Sequence, residues 1–442
     1  MSEMKDSCIK WIGKIPIEWS TKRVKYLATK PESLFIDGDW IESDVIIEKG
    51  IRYLTTGNVG AGFFKEQGSG YISEETFKKL KCLKVLPGDL MISRLNEPIG
   101  RACIVPDIED FYVVAVDNVI LRPNKEFDKK FIMYCMNTTG YSEDANDAAR
   151  GSTMQRVSRS ILGTFIIPIT SIEEQKNIVK FLDNKVGKID EILTFLYNQI
   201  SILNKYKQSL ITEVVTKGLN NNAKMKDSGI DWIGEIPEHW IISKLKYISK
   251  CNESTLKENT KSDLYMRYID IGSVSYDNGI EIYQEMKFED SPSRARRIVK
   301  KGNIIISTVR TYLKAIAFIE DDENVIVSTG FAVIRLNDAM YNKYFYYYIK
   351  SEKFIEQVDK YSYGIAYPAI NAELLNSILT IIPTVDEQKK IADYLDKKCK
   401  EIDDLIKNKR AQIDKMEQYK KSLIYEYVTG KKRVKGAEEL YG

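Results

Sequence analysis

Asp6-Ser7-Cys8-Ile9-Lys10-Trp11-Ile12-Gly13-Lys14-Ile15-Pro16-Ile17-Glu18-Trp19 returns far along the chain as Asp227-Ser228-Gly229-Ile230-Asp231-Trp232-Ile233-Gly234-Glu235-Ile236-Pro237-Glu238-His239-Trp240. Both tryptophans, the Ile-Gly, the Ile-Pro and the Asp-Ser recur in register. Solenoid units run only about 20–50 residues. The spacing here is long enough for whole domains of about 100–200 residues each. The chain therefore reads as a tandem duplication, and its function as something done twice along one polypeptide.

Working outward, each copy ends in a helical repeat. Ile189, Leu193, Leu196, Ile200, Leu203, Leu210 and Val214 fall in alternating steps of four and three, a heptad seam broken at Lys207. Ile402, Ile406, Ile413, Met416, Leu423 and Tyr427 repeat it, broken at Lys409 and Lys420. Ser171-x-x-Glu174 and Thr384-x-x-Glu387 are capping boxes that open the two helices. Pro168 and Pro383 stand upstream and separate strand from helix, and Gly218 and Gly430 suit left-handed C-terminal caps. The expected helices cover 171–218 and 384–430, each on the order of 65–70 Å long. A helix of that length with one apolar stripe needs a partner. The obvious one is its own repeat copy, the other reading being two helices packed on their own domains.

The stretches before the helices carry short β-branched runs bounded by Gly, Pro, Asn and Asp: Val113–Val116, Asn118–Leu121, Asn303–Ser307 and Asn324–Val327. Shorter helical patterns lie at Lys129–Asn137 and Lys343–Ser351. The fold class is α+β: two mixed α/β globules, 1–170 and 219–383, each followed by a long helix, with a basic, flexible tail at 431–442. The globules differ strongly outside their landmarks, which suggests that they bind different things.

An apolar fraction of 43% over 442 residues supports two sizeable cores. Met1 to Lys10 is polar and charged, unlike a signal peptide, and no apolar run reaches the roughly 18 residues of a membrane helix. The six cysteines are scattered with no C-x-x-C, and together with a single histidine this argues against a zinc site; reduced cytoplasmic thiols are the expectation. A formal charge of +3 decides nothing. Its placement says more: Ser293-Arg294-Ala295-Arg296-Arg297-Ile298-Val299-Lys300-Lys301 holds five basic residues and no acid, either a solvated loop or a phosphate contact.

Recognisable catalytic motifs are missing. There is no G-x-x-x-x-G-K-[S/T] loop, no G-x-G-x-x-G opening a helix after a strand, and no Asn- or Asp-Pro-Pro-aromatic tetrapeptide of the kind that holds a base amine for methylation. His239 has Glu18 as its counterpart, which suits a surface or capping role better than a triad. The chain reads as a binder and not an enzyme.

The duplicated Trp-Ile-Gly-x-Ile-Pro-x-x-Trp openings, the helix starts Glu174-Gln175-Lys176 and Glu387-Gln388-Lys389, and Phe181-Leu182-Asp183 against Tyr394-Leu395-Asp396 at equal spacing resemble the specificity subunits of type I restriction-modification systems. The resemblance covers nearly the whole chain. It implies two target-recognition domains, each reading one half of a split, asymmetric site on double-stranded DNA, and helices that form an antiparallel coiled coil spacing the domains. It further implies docking of two methyltransferase subunits and, in the full enzyme, two restriction–translocase subunits. S-adenosylmethionine, ATP and Mg would belong to those partners, leaving no cofactor in this chain. The competing reading is a duplicated coiled-coil scaffold that binds proteins and has no DNA specificity.

The same resemblance implies a Gly-Ser/Thr-x-Gln-like turn before the last strand, matched here by Gly151-Ser152-Thr153-Met154-Gln155-Arg156. Gln155 can pair bidentately with adenine, and Arg156 with guanine or phosphate. The second copy departs from this with Gly364-Ile365-Ala366-Tyr367-Pro368. Arg94, Asn96 and Arg101 form a further candidate DNA-binding cluster after a strand, matched in the second copy by Arg310, Tyr312 and Lys314, with Tyr361, Tyr363, Tyr367 and Asn371 beyond. Arg294, Arg296 and Arg297 complete the set, and the opening tryptophans are read as structural.

Overall fold

The computed structural model describes residues 3–68, 70–96, 98–149, 155–230, 233–364 and 368–434. Two compact units emerge, one of residues 1–196 and 411–442, the other of 197–410. The long helices, α1 (Ile172–Lys217) and α2 (Val385–Val428), each contribute to both units.

The first unit has a four-stranded antiparallel sheet in the order Leu34–Asp37, Asn118–Arg122, Leu90–Ser93, Ala102–Ile104. The second unit repeats it as Ser249–Cys251, Phe331–Leu336, Ile304–Ser307, Ile316–Phe318. Three of the four β-branched runs of the sequence form inner strands, fully buried at Val119, Ile120, Ile304 and Ile305, while Val113–Val114 is an edge strand. A second sheet accompanies the first in each unit. In the first unit it has three strands, Gly70–Ile72, Ile51–Leu54 and Val113–Val114. In the second unit it has four, because Ala295–Ile298 adds an edge strand beside Val325–Ser328. The Arg-rich run, expected as a loop or a phosphate contact, thus forms an edge strand, where charged side chains also guard an unpaired backbone edge.

The short helices Lys129–Met136 and Asn342–Ile349 sit where the patterns place them. Two more, Thr139–Asp147 and Glu352–Tyr361, follow directly. Pro168 lies inside the strand Ile166–Ile169, paired with Thr21, and not between strand and helix as expected. The ribbon has only two strands, so a missing outward N–H is tolerated.

Both helices start at their capping boxes. Glu387 N donates to Thr384 Oγ1 at 3.4 Å and Thr384 N to Glu387 Oε2 at 3.1 Å; Glu174 N donates to Ser171 Oγ at 3.3 Å. Gly218 (φ +77°) and Gly430 (φ +70°) provide the left-handed ends. Within the first unit, Phe181 meets Tyr427 at a ring separation of 4.3 Å and Lys420 Nζ meets Asp190 Oδ1 at 2.5 Å. Within the second, Lys409 Nζ meets Gln199 Oε1 at 2.5 Å and Lys207 Nζ meets Asp403 Oδ1 at 2.7 Å. Partners on α2 descend as those on α1 ascend, so the helices run antiparallel in each unit. The seam residues Ile189, Leu196, Leu210, Val214, Ile402, Ile406, Ile413, Leu423 and Tyr427 are buried. Leu193, Ile200, Leu203 and Met416 are partly buried against the same cores. The three lysines that break the seam each find a polar partner across it.

The tail is not loose from its first residue. Lys431 Nζ donates to Ile12 O at 2.6 Å, and Arg433 pairs with Glu18 and, at 2.6 Å, with Glu174. The opening hairpin therefore packs on the end of α2: Trp19 is 1% exposed, and a Cβ on Gly430 would meet Pro16 Cδ at 2.5 Å.

Candidate nucleic-acid interface

In the first unit the strand Leu90–Ser93 runs into a loop that must turn back at once into Ala102–Ile104. Ser93 N donates to Arg101 O at 2.9 Å and Gly100 N to Ser93 O at 2.8 Å, with Gly100 at φ +77°. A second segment, distant in sequence, locks onto this loop. Leu95 and Arg156 form a β-bridge, Asn96 N donates to Gln155 O at 3.3 Å, and Val157 N donates to Arg94 O at 3.1 Å. The two clusters singled out in the sequence are thus one rim. Asn96 and Gln155 are exposed side by side, with Asn96 Nδ2 3.5 Å from Gln155 Oε1. Such adjacent amides offer donors and acceptors to a base edge. Ser152 and Thr153 lie outside the described residues.

Two carboxylates that the sequence did not single out organise the arginines here. Arg94 donates to Val116 O at 2.6 Å and reaches Asp117 at 3.4 Å and Asp37 at 3.5 Å. Arg159 donates to Asp37 Oδ2 at 2.9 Å and to Phe35 O at 2.9 Å. Arg156, its side chain 65% exposed, lies 3.9 Å from Asp117, far enough to leave its guanidinium available to a ligand. Arg94, 13% exposed, is mostly committed to the scaffold. No local spacing could have found this cluster, because Asp37, Asp117 and Arg159 meet only through the sheet.

Arg101 is corrected. It is 7% exposed, and its guanidinium donates to the carbonyls of Val59, Leu95, Pro98 and Thr56 at 2.7–3.0 Å. Burial lowers its pKa from the ordinary arginine value. It is the internal strut of the loop and does not face a ligand.

The second unit builds the same rim from other side chains. Ser307 N donates to Ala315 O at 2.9 Å, so Ala315 stands where the first copy has Arg101. Lys314, at φ +49°, takes the left-handed place of Gly100. Val309 bridges Ala369, Ile370 N donates to Thr308 O at 2.9 Å, and Thr311 N donates to Pro368 O at 3.3 Å. Tyr312 and Tyr363 stand out at 54% and 61% exposure, with Arg310 exposed beside them. Tyr361 is less open, at 37%. Arg294 is exposed, and its carbonyl accepts from Thr329 N at 2.8 Å, next to the Gly330 carbonyl that holds Thr308 Oγ1 at 2.9 Å.

Other candidates fall elsewhere. Arg296 lies 4.7 Å from the Phe288 ring and donates to Ala295 O, and Arg297 is half-buried in the edge strand. Asn371 caps the helix Ala372–Ser377, its side chain accepting from Leu374 N at 2.8 Å, as Ser158 does in the first copy. Its side-chain oxygen thus serves as a helix cap, and the residue itself is exposed. Tyr367 lies outside the described residues. His239, expected in a surface or capping role, is exposed, and its Nε2 is 2.9 Å from Oε1 of the capping-box residue Glu387. Among the described residues no group of three or more His, Cys, Asp or Glu could hold a metal, and no helix is long and apolar enough to cross a membrane.

Against this geometry, the model of the type I restriction modification DNA specificity domain matches the chain twice, over residues 16–201 and 237–415. A Methanocaldococcus jannaschii protein assigned as the type I restriction enzyme MjaX specificity subunit is 28% identical over 388 residues, 83% of each chain. The MjaVIII specificity subunit of the same organism is 28% identical over 328 residues, 71% of this chain and 72% of its own. A solved chain from work on complex assembly and conformational transition of a type I R-M system superposes with a TM-score of 0.67 over 94% of this chain and 98% of its own. At 13% identity that likeness speaks for the fold alone.

Proposed function

The chain belongs to the type I restriction modification DNA specificity family, and from that premise we propose that each rim reads one half of a bipartite, asymmetric DNA site. The observation that carries this is the repetition of one backbone scaffold with two different sets of exposed side chains. Asn96, Gln155 and Arg156 serve one half-site; Arg310, Tyr312, Lys314 and Tyr363 serve the other, with Arg294 as a phosphate contact. A shared scaffold gives both units the same way of approaching a duplex, and different side chains free the site from palindromy.

The chain itself is non-catalytic in this reading. The paired helices space the two readers and carry methyltransferase subunits, two of them, with two restriction–translocase subunits in the complete enzyme. Exposed apolar residues on α1 support docking there: Phe195 at 61%, Ile202 at 65% and Tyr206 at 55% exposure are large apolar groups left in water by this chain alone. S-adenosylmethionine, ATP and Mg belong to the partners, and the assembly works in the cytoplasm.

The test is DNA binding by the complex with methyltransferase subunits, followed by mapping of adenine methylation. Affinity should fall steeply with salt, since each neutralised phosphate releases counterions, and methylation should mark a split, non-palindromic site. An affinity that ignored salt, or methylation without a fixed site, would favour the protein-scaffold reading instead.

A further inference from the structure

In the second unit a cavity of about 250 Å³ opens between α1, the loop after Ser275 and the start of the helix Glu352–Tyr361. Its lining includes four lysines, Lys205, Lys207, Lys314 and Lys350, against two carboxylates, Asp277 and Glu352. Lys350 is the unusual one. It is only 6% exposed, and no carboxylate among the described residues comes within ion-pair range of it. Its ammonium has one long hydrogen bond, 3.4 Å to Tyr346 Oη, and lies over the rings of Tyr276 and Tyr346 at 4.9 and 5.2 Å. Tyr276 is fixed in turn by Gln208 Oε1 and by Lys350 O at 2.6 Å, and Lys314 Nζ lies 5.8 Å from the same ring. A buried ammonium with two rings and one weak acceptor lacks most of its compensation for lost hydration.

The first unit shows that the fold does not require this charge. Counting along the helix, Lys350 corresponds to Asn137, since Ser351 and Thr138 after them make the same hydroxyl bond to the carbonyl three residues back. Asn137 is satisfied within the protein: it exchanges bonds with Ala102 N and O and donates to Met133 O. The second copy thus carries an uncompensated cation where the first has a closed amide.

We propose that this cavity is an oxyanion site, in which Lys350 with Lys207 and Lys314 holds a phosphoryl group. Lys207 brings its charge while tied to Asp403 at 2.7 and 2.8 Å, and Lys314 comes from the exposed loop, so the site joins the long helix to the rim. Room for several waters, at about 30 Å³ each, suffices for a tetrahedral oxyanion with part of its hydration. The phosphoryl group can come from free phosphate or from a DNA backbone. The inference rests on the cavity and Lys350, not on base reading by the rims, so either can fail alone.

The test uses the full-length chain and inorganic phosphate. Its thermal midpoint is measured in potassium phosphate and in potassium chloride of equal ionic strength, for wild type and Lys350→Met. Saturating phosphate should raise the wild-type midpoint over the variant's gain by about 5 °C; the variant shares the general salting effect, so the difference is specific. A short duplex that competes with phosphate identifies the DNA backbone as the source, and one that does not identifies free phosphate. Should the variant not fold, wild-type acylation read by mass spectrometry replaces it: phosphate should slow modification of Lys350 about tenfold relative to surface lysines, the mass-action effect of an occupied site. Equal phosphate gains in wild type and variant, or acylation of Lys350 indifferent to phosphate, would overturn the proposal.

Discussion

Trp19 Nε1 donates to Glu174 Oε2 at 3.0 Å, and Trp240 Nε1 repeats the contact to Glu387 Oε1 at 3.3 Å. The last residue of each opening motif is thereby bonded to the capping box of the helix that closes its own globule. Both indoles are 1% exposed, so neither N–H can turn to water. Glu174→Ala should destabilise the first unit by about 1–3 kcal/mol, the cost of a buried donor left unpaired. Glu387→Ala should do the same to the second. Urea unfolding checks this, and an unchanged midpoint would mean that the contact only accompanies packing.

The first rim sets exposed side chains, Gln155 and Arg156, beside a buried strut, Arg101. Gln155→Ala with Arg156→Ala should reduce methylation at sites carrying the first half-site by about 1–3 kcal/mol per lost base contact, leaving stability and subunit assembly as they were. Arg101→Ala should instead lower the unfolding midpoint, because four carbonyls lose their donor. If the Gln155 and Arg156 changes left methylation at full rate, this turn would not be the reader.

The helix pairing repeats across the duplication. Lys420–Asp190 and Lys207–Asp403 are the same contact shifted by one repeat. A fragment of residues 1–218 keeps Asp190, Lys207 and the seam from Ile189 through Val214, so two copies can satisfy each other. The fragment should form an antiparallel homodimer, and with methyltransferase subunits it should mark an interrupted palindrome built from one half-site. Light scattering and methylome mapping decide it; a folded monomer would show that the seam needs α2 itself.

Lys350 makes stability depend on pH in an unusual direction. Burial, with Lys207 nearby, lowers its pKa from 10.5 to about 8, against opposing effects of Asp277, Cys399 and Asp403. Between those values the unfolded chain holds the proton and the folded chain has shed it, so stability rises with pH across the window. At about 1.4 kcal/mol per unit the gain is on the order of 3 kcal/mol. Denaturation from about pH 7 to about pH 11, a range that brackets this window, should show the rise in wild type and lose it in Lys350→Met. Parallel curves for the two proteins would place the ammonium in water.

The duplication, the two long helices, their caps and seam, and the inner strands were legible in the sequence. Each is written locally: a motif repeated in register, a period of seven, a hydroxyl three residues before a carboxylate, a short β-branched run. An antiparallel coiled coil of α1 with α2 was implied by family resemblance; within each unit the side-chain contacts between them run in antiparallel order. The tertiary structure alone decided which polar side chains face outward. Arg101 and Arg156 look alike as residues, yet one is walled in by four carbonyls and the other stands at the rim. Asn371, a candidate reader in the sequence, caps a helix with its side-chain oxygen. Asp37, Asp117 and Arg159 gave no signal, because the sheet brings them together from positions far apart in sequence. The uncompensated charge of Lys350 was equally invisible. Burial of a polar group is set by what packs around it, and that depends on contacts between segments that no local pattern records.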